Sequence, residues 1–236
     1  MKEVRLLNNE LYNFDNKCLV MVTFGSGLKR QVASGSLIKA NGMVFIATAA
    51  HCIYNTYEKY YFDNITFSLL SENYKKKYKI SKAFIHKKWI DEAALECDTA
   101  FVLLDEKTFD NKKYIDYAVE PGFNLEYGLE YGIKGFNAKL FFGRPKPVTV
   151  MGKAIRHDKY TRIIQGIICK RKNGISGGPW LTVYNNKIVQ NSVSSFSFKN
   201  NDDILWGPFW GNTIENVLHI ACGVHNGSSD VIIKEY

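Results

Sequence analysis

An all-β fold is what the sequence predicts, and three observations carry that prediction. Apolar residues come in short segments, glycine and asparagine punctuate them, and one serine sits among glycines between two β-rich stretches, in Asn173-Gly-Ile-Ser-Gly-Gly-Pro-Trp180. From Cys18 onward, CLVMVTF, VASGSLIKA and MVFIATAAHCI read as antiparallel strands and hairpins, separated by Gly25, Gly27, Asn41 and Gly42. Asn41-Gly42 is the strongest turn signal, because both residues tolerate the positive φ of a tight hairpin, so the second and third segments should pair. That pairing carries Thr48-Ala-Ala-His51-Cys52 to the end of a strand, with small residues leaving room around the imidazole. Strands follow in ITFSLL and YKISKAFIH, and after a polar stretch Asp98 opens the apolar segment DTAFVLL. Residues 106–122 are polar and strand-poor. A second set of strands is then expected in YGIKGF, AKLFF, PVTVMGKAI, RIIQGIIC, PWLTVY, KIVQNSVSSF and ILWGPFW.

Ser176 is the candidate nucleophile. A serine hydroxyl reacts poorly near neutral pH unless a base takes its proton and donors hold the oxyanion. His51 is the candidate base. Asp98 is its candidate partner, since a carboxylate at the start of an apolar strand is costly to bury without a hydrogen bond and an imidazole N–H supplies one. Gly174 can turn its backbone N–H toward the same point as that of Ser176, while Gly177 and Gly178 let a substrate chain approach closely. Each motif also has a plainer reading: a Gly-Pro turn, a histidine at a strand end, an aspartate facing water.

Composition narrows the field. With 236 residues, 46% of them hydrophobic, the chain can bury a substantial core. No apolar run approaches the roughly 20 residues of a membrane span, and the N-terminal residues lack the apolar core of a signal peptide. The five cysteines are odd in number and lack CxxC spacing, which disfavours a disulfide framework and a metal site. A reducing cytoplasm is therefore the expected compartment, with a secreted mature form as the alternative. The net charge of +8 raises nucleic acid as a partner. Its lysines fall in short scattered runs without a recognition-helix or RNA-binding pattern, so solvated loops and a protein or peptide substrate are expected instead.

Taken in order, TAAHC around His51, Ile85-His86 leading to DTAFVLL, and GISGGP around Ser176 resemble the trypsin/chymotrypsin superfamily of serine endopeptidases. Gly35-Ser36-Leu37-Ile38 and Gly207-Pro208-Phe209 are similar to it as well. The resemblance implies one peptidase domain, 1–236, built as two six-stranded antiparallel β-barrels with the active site in the cleft between them. Residues 12–110 would form the first barrel, carrying His51 and Asp98, and residues 120–222 the second, carrying Ser176. A short helix at Ile214–Ile220 would close the fold, and residues 223–236 remain a tail without assignment. Ser176 would attack the scissile carbonyl, His51 would move the proton, Asp98 would fix the imidazole tautomer, and the N–H groups of Gly174 and Ser176 would hold the oxyanion. No metal or organic cofactor is implied. The substrate strand would pair along Val193, Ser194 and Ser195.

Three departures bear on those expectations. Ile175 stands where trypsin-like members have an aspartate that pairs with a newly cut N-terminus, a feature also missing from the bacterial glutamyl-endopeptidase and HtrA-like branches. Activation by cleavage is therefore not expected, and ordering of the oxyanion loop by a protein partner or preferred substrate is. Cys52 lacks its usual disulfide partner, with Ser34 where the other cysteine would be. Lys170, Arg171, Lys172 and Asn173 fall where the family lines its specificity pocket, which suggests a preference for acidic side chains, but Val193 replaces the histidine that the glutamyl-specific branch places in the pocket wall. A catalytically silent protease-fold binding module is the alternative function.

Overall fold

The computed structural model describes residues 10–26, 29–137, 146–169, 173–199, 201–224 and 229–236. Six antiparallel strands close on themselves in the first half: β1 (Leu19–Phe24), β2 (Gln31–Ala40), β3 (Met43–Thr48), β4 (Thr66–Leu69), β5 (Tyr78–His86) and β6 (Ala100–Leu104). The ladder runs β5-β4-β1-β2-β3-β6, and β6 pairs back to β5, which leaves no open edge between them. The β2–β3 hairpin turns at Asn41 and Gly42, with φ of 48° and 73°, so the positive backbone angles are those the dipeptide predicts. Leu37, Phe45 and Ile46 are fully buried, each worth roughly 1.5–3 kcal/mol of transfer free energy.

The second half is two sheets sharing two bent strands. One contains β7 (Glu130–Asn137), β8 (Lys146–Lys153), β11 (Pro179–Tyr184) and β12 (Lys187–Val193); the other contains β9 (Ile155–Arg156), β10 (Ile164–Ile168), β13 (Phe196–Phe198) and β14 (Asn201–Pro208). The chain passes from β8 to β9 at Ala154, whose N–H turns aside to the Leu129 carbonyl. It crosses again from β12 to β13 at Ser194 and Ser195, where Ser194 still pairs with Gly178 while Ser195 already donates to Trp206. Counting each bent strand once, the pairings run in a circuit of six, with the ladder broken at those two corners. The expected strand AKLFF lies outside the described residues.

The first and last described segments each pack on the opposite half. Leu11 is buried against Gly132 of β7, and the ammonium of Lys134, also on β7, donates to the carbonyls of Tyr12 and Phe14 at 3.3 and 3.0 Å. At the other end, the helix Asn212–Ala221 buries Ile214, Val217 and Leu218 in the core of the first barrel. The tail then adds β15 (Val231–Glu235) to β5, from Val231 opposite His86 to Glu235 opposite Lys82. The helix therefore belongs by packing with the first barrel rather than with residues 120–222, and the tail is its seventh strand. No helix among the described residues is long and apolar enough to cross a membrane.

Candidate active site

Three separate pieces of chain meet where the two halves face each other. β3 ends at Thr48, and a short 3-10 turn, Ala50–Cys52, presents His51 with its side chain 31% exposed. Asp98 arrives by a different route: β5 runs into the helix Lys87–Glu92, which ends on Ala93 in the left-handed region, and the chain doubles back through Leu95–Cys97. The Asp98 side chain is 2% exposed and fully used. One carboxylate oxygen accepts the His51 backbone N–H at 2.9 Å, and the other lies 2.8 Å from Nδ1 of the same residue and also accepts the Ser195 hydroxyl. With Nδ1–H donating to the carboxylate, Nε2 is left as the proton acceptor.

The electrostatics follow from that geometry. Burial opposes a charge on both groups, yet each is held in its ionised form by the other: the His51 pKa stands well above the ordinary 6.5 because the Asp98 carboxylate outweighs desolvation. Burial likewise pushes the Asp98 pKa up, but His51 and the Ser195 hydroxyl overcome it and the net direction is down. Next to Asp98, the Thr99 hydroxyl accepts from the indole N–H of buried Trp210 at 3.0 Å, which ties the strand start to the segment leading into the C-terminal helix.

The serine loop is pressed against the strand that carries His51. Gly177 has φ of +77°, and a Cβ there would lie 2.2 Å from both the Ser34 carbonyl and the Thr48 hydroxyl and 2.9 Å from the Ala49 nitrogen. A Cβ on Gly178 would meet the Lys134 carbonyl at 2.2 Å. These two glycines serve close approach of backbone to backbone within the protein. Within the loop, Gly177 donates to the Ser194 carbonyl at 2.7 Å and Gly178 to the Ile175 carbonyl at 2.9 Å. The N–H groups of Gly174 and Ser176 have no backbone acceptor among the described residues. Ile175 is 2% exposed and packs in a cluster with Tyr131, Ile133 and Trp180. The sequence model of the family described as Trypsin matches residues 9–203, a span that includes all three pieces.

The chain belongs to the trypsin family. This family member is a serine endopeptidase, and its fold is shared with solved bacterial proteases. Protease Anisep from Arthrobacter nicotinovorans is 25% identical, with a TM-score of 0.75 over 88% of this chain and 96% of that one. A thermostable serine protease, AL20, from an extremophilic microorganism is 23% identical with a TM-score of 0.77, covering 89% of this chain and 99% of its own. A Glu endopeptidase is 18% identical with a TM-score of 0.72, covering 89% and 92%. No curated protein matches the chain.

The trypsin-family comparison and the local contacts sort the remaining expectations. Val193 and Ser194 are not an open substrate edge. Val193 is fully buried in the main core and pairs with Pro179, so it does not stand in a pocket wall. Both backbone groups of Ser194 are engaged with Gly177 and Gly178, and its hydroxyl accepts from the Trp180 indole N–H at 3.1 Å. Ser195 is turned inward onto Asp98. Among the described residues the edge that remains is the next segment, β13, which pairs with β14 on one side alone. The Ser34 hydroxyl reaches the serine loop, donating to the Gly174 carbonyl at 2.7 Å. Cys18, Cys52, Cys97 and Cys222 are free thiols. Lys170, Arg171 and Lys172 lie outside the described residues, while Asn173 is exposed beside Gly174. Among the described residues no cluster of histidine, cysteine, aspartate and glutamate could hold a metal. Sequence reasoning missed Ser34, Thr48 and the Ser195–Asp98 bond; the signal was a hydroxyl side chain set within an apolar strand.

Proposed function

We propose that this endopeptidase cleaves peptide bonds through an acyl-enzyme, with Ser176 as nucleophile, His51 as general base and then acid, and Asp98 as the group that orients His51. One observation carries this reading: a buried carboxylate gripped by both the side chain and the backbone of one histidine, whose remaining ring nitrogen is left to accept a proton. Ser176 loses its proton to Nε2 as Oγ attacks the carbonyl, and the same proton passes to the leaving amine. The N–H groups of Gly174 and Ser176 stabilise the negative charge that develops on the carbonyl oxygen. Burial of Ile175 and the hydrogen bonds within its loop support ordering without an ion pair to a cut N-terminus, and a protein partner or preferred substrate that binds the ordered loop is assigned the role of raising activity.

A peptide chain is assigned to the free edge of β13, pairing main chain to main chain. Phe196 and Phe198 lie on one face of that edge with ring centroids 5.1 Å apart, and His157, Tyr160 and Trp206 extend the aromatic surface beside Phe198. That surface favours a large apolar side chain upstream of the scissile bond. A preference for acidic residues rests on the cations at 170–172, and one peptide library measures both preferences. The central test is covalent: a fluorophosphonate should label wild type at Ser176 and leave Ser176→Ala unlabelled. A folded wild type that never reacts would instead support a silent binding module.

A further inference from the structure

β3 stops opposite Ser36, so beyond that point the outer edge of β2 has no ladder partner, and Ser34 lies there. Every polar group of this fully buried residue is nevertheless used. Its N–H donates to the Ser176 carbonyl at 2.7 Å, its carbonyl accepts from the Thr48 hydroxyl at 2.8 Å, and its own hydroxyl accepts the Phe136 N–H at 2.8 Å while donating to the Gly174 carbonyl at 2.7 Å. The two residues assigned to hold the oxyanion are thus both gripped, through their carbonyls, by one residue of the other half. These bonds fix the Gly174–Ile175 and Ser176–Gly177 peptide planes, and the plane between them, which carries the Ser176 N–H, is held by the Gly178 N–H on the Ile175 carbonyl at 2.9 Å. The loop that presents both N–H groups therefore has little freedom to rotate, and φ of +93° at Gly174 is a conformation the chain adopts there only with glycine's latitude.

We propose that Ser34 is a positioning residue for catalysis: it fastens the Gly174 and Ser176 backbone so that their N–H groups converge on the oxyanion, a task that Ile175 has no carboxylate to perform through an ion pair. This rests on the assignment of Ser176 as nucleophile. Ile175 contributes the apolar half of the anchoring, since its side chain packs beside Gly135, where a Cβ would lie 2.9 Å from the Ser34 hydroxyl and 3.0 Å from Ile175 itself. Strand β7, the β2 edge and the serine loop therefore meet at the Ser34 hydroxyl.

Ser34→Ala removes the hydroxyl and leaves the N–H bond to Ser176 in place. Because oxyanion contacts are made in the transition state, the expected result is a kcat lower by about 10- to 100-fold with KM within about twofold. Affinity for a peptide boronate, whose tetrahedral adduct carries the same negative oxygen, should fall by a similar factor. Leu69→Ala, a core substitution in β4 outside this hydrogen-bond set, controls for lost stability: assayed well below its melting temperature it should keep the wild-type kcat. Should Ser34→Ala fail to fold, Ser34→Cys, with similar shape and a weaker donor, carries the same measurements. Wild-type kcat and boronate affinity in a folded Ser34 variant overturn the positioning role. Failure of wild type to label at Ser176 overturns the nucleophile assignment itself, so the two failures are told apart.

Discussion

Gly177 is the residue where backbone geometry leaves least choice. Its φ of +77° disfavours any side chain, and a Cβ would drive into the carbonyl of Ser34, which cannot swing away as a flexible side chain would. Gly177→Ala should lower stability by about 2–4 kcal/mol and abolish turnover, measured by thermal melting and peptide hydrolysis; a variant of wild-type activity would mean the loop has another conformation. His51 supplies a second expectation at this scale. Its pKa is raised, so it stays protonated to higher pH than an ordinary histidine and the acid limb of kcat/KM should be centred above 6.5. The stability linkage has the opposite sign. The imidazolium's contribution is fully present below 6.5, the value of a free side chain, and fades as pH rises through the raised value, so the protein trades stability for activity across that window. A rate profile centred at or below 6.5 would contradict the strength of the Asp98 contact.

Among the elements, β15 is the one that departs furthest from local expectation. Burial falls off along it: Val231 is buried in the first-barrel core, while Ile233, two residues on and on the same face, is 48% exposed, so the strand is seated at its start. Val231→Asp should therefore cost about 2–4 kcal/mol while Ile233→Asp stays within about 0.5 kcal/mol, as denaturant titration of the two variants would reveal. Equal effects would show that the strand is not seated at Val231. The sequence shows Val231-Ile-Ile as apolar, but the partner of a strand more than a hundred residues away is written in no local pattern. Asn41-Gly42 is legible because a tight turn is decided by the residues in it. The motifs around His51, Asp98 and Ser176 are legible for a related reason: each is a short segment whose chemistry is carried by its own residues. Ser194 and Ser195 are not, because a chain changing sheets at a corner sends two adjacent hydroxyls to different places, one to Trp180 and one to Asp98.

At the scale of the whole molecule, Lys134 shows how the halves are joined. It is 1% exposed, burial lowers its pKa, and its ammonium is spent on two carbonyls of the N-terminal segment. Lys134→Met keeps the shape, removes the buried charge and orphans those carbonyls, so residues 10–18 should loosen while the barrels persist. Limited proteolysis is expected to nick this segment faster in the variant, with only a modest fall in melting temperature. An unchanged cleavage pattern would mean that Leu11 and its apolar contacts hold the segment unaided.

The placement of β15 also bears on how the protein is made. The barrel that holds His51 and Asp98 is completed by the helix Asn212–Ala221 and by Val231–Glu235, which a ribosome synthesises more than a hundred residues after Asp98. While those last segments are still inside the exit tunnel, the nascent chain lacks the strand beside β5 and the apolar helix that covers its core. A peptidase assembled in this order reaches its finished first barrel only after Ser176 has long been translated. A nascent chain stalled before Val231 leaves the tunnel is therefore expected to react poorly with a fluorophosphonate.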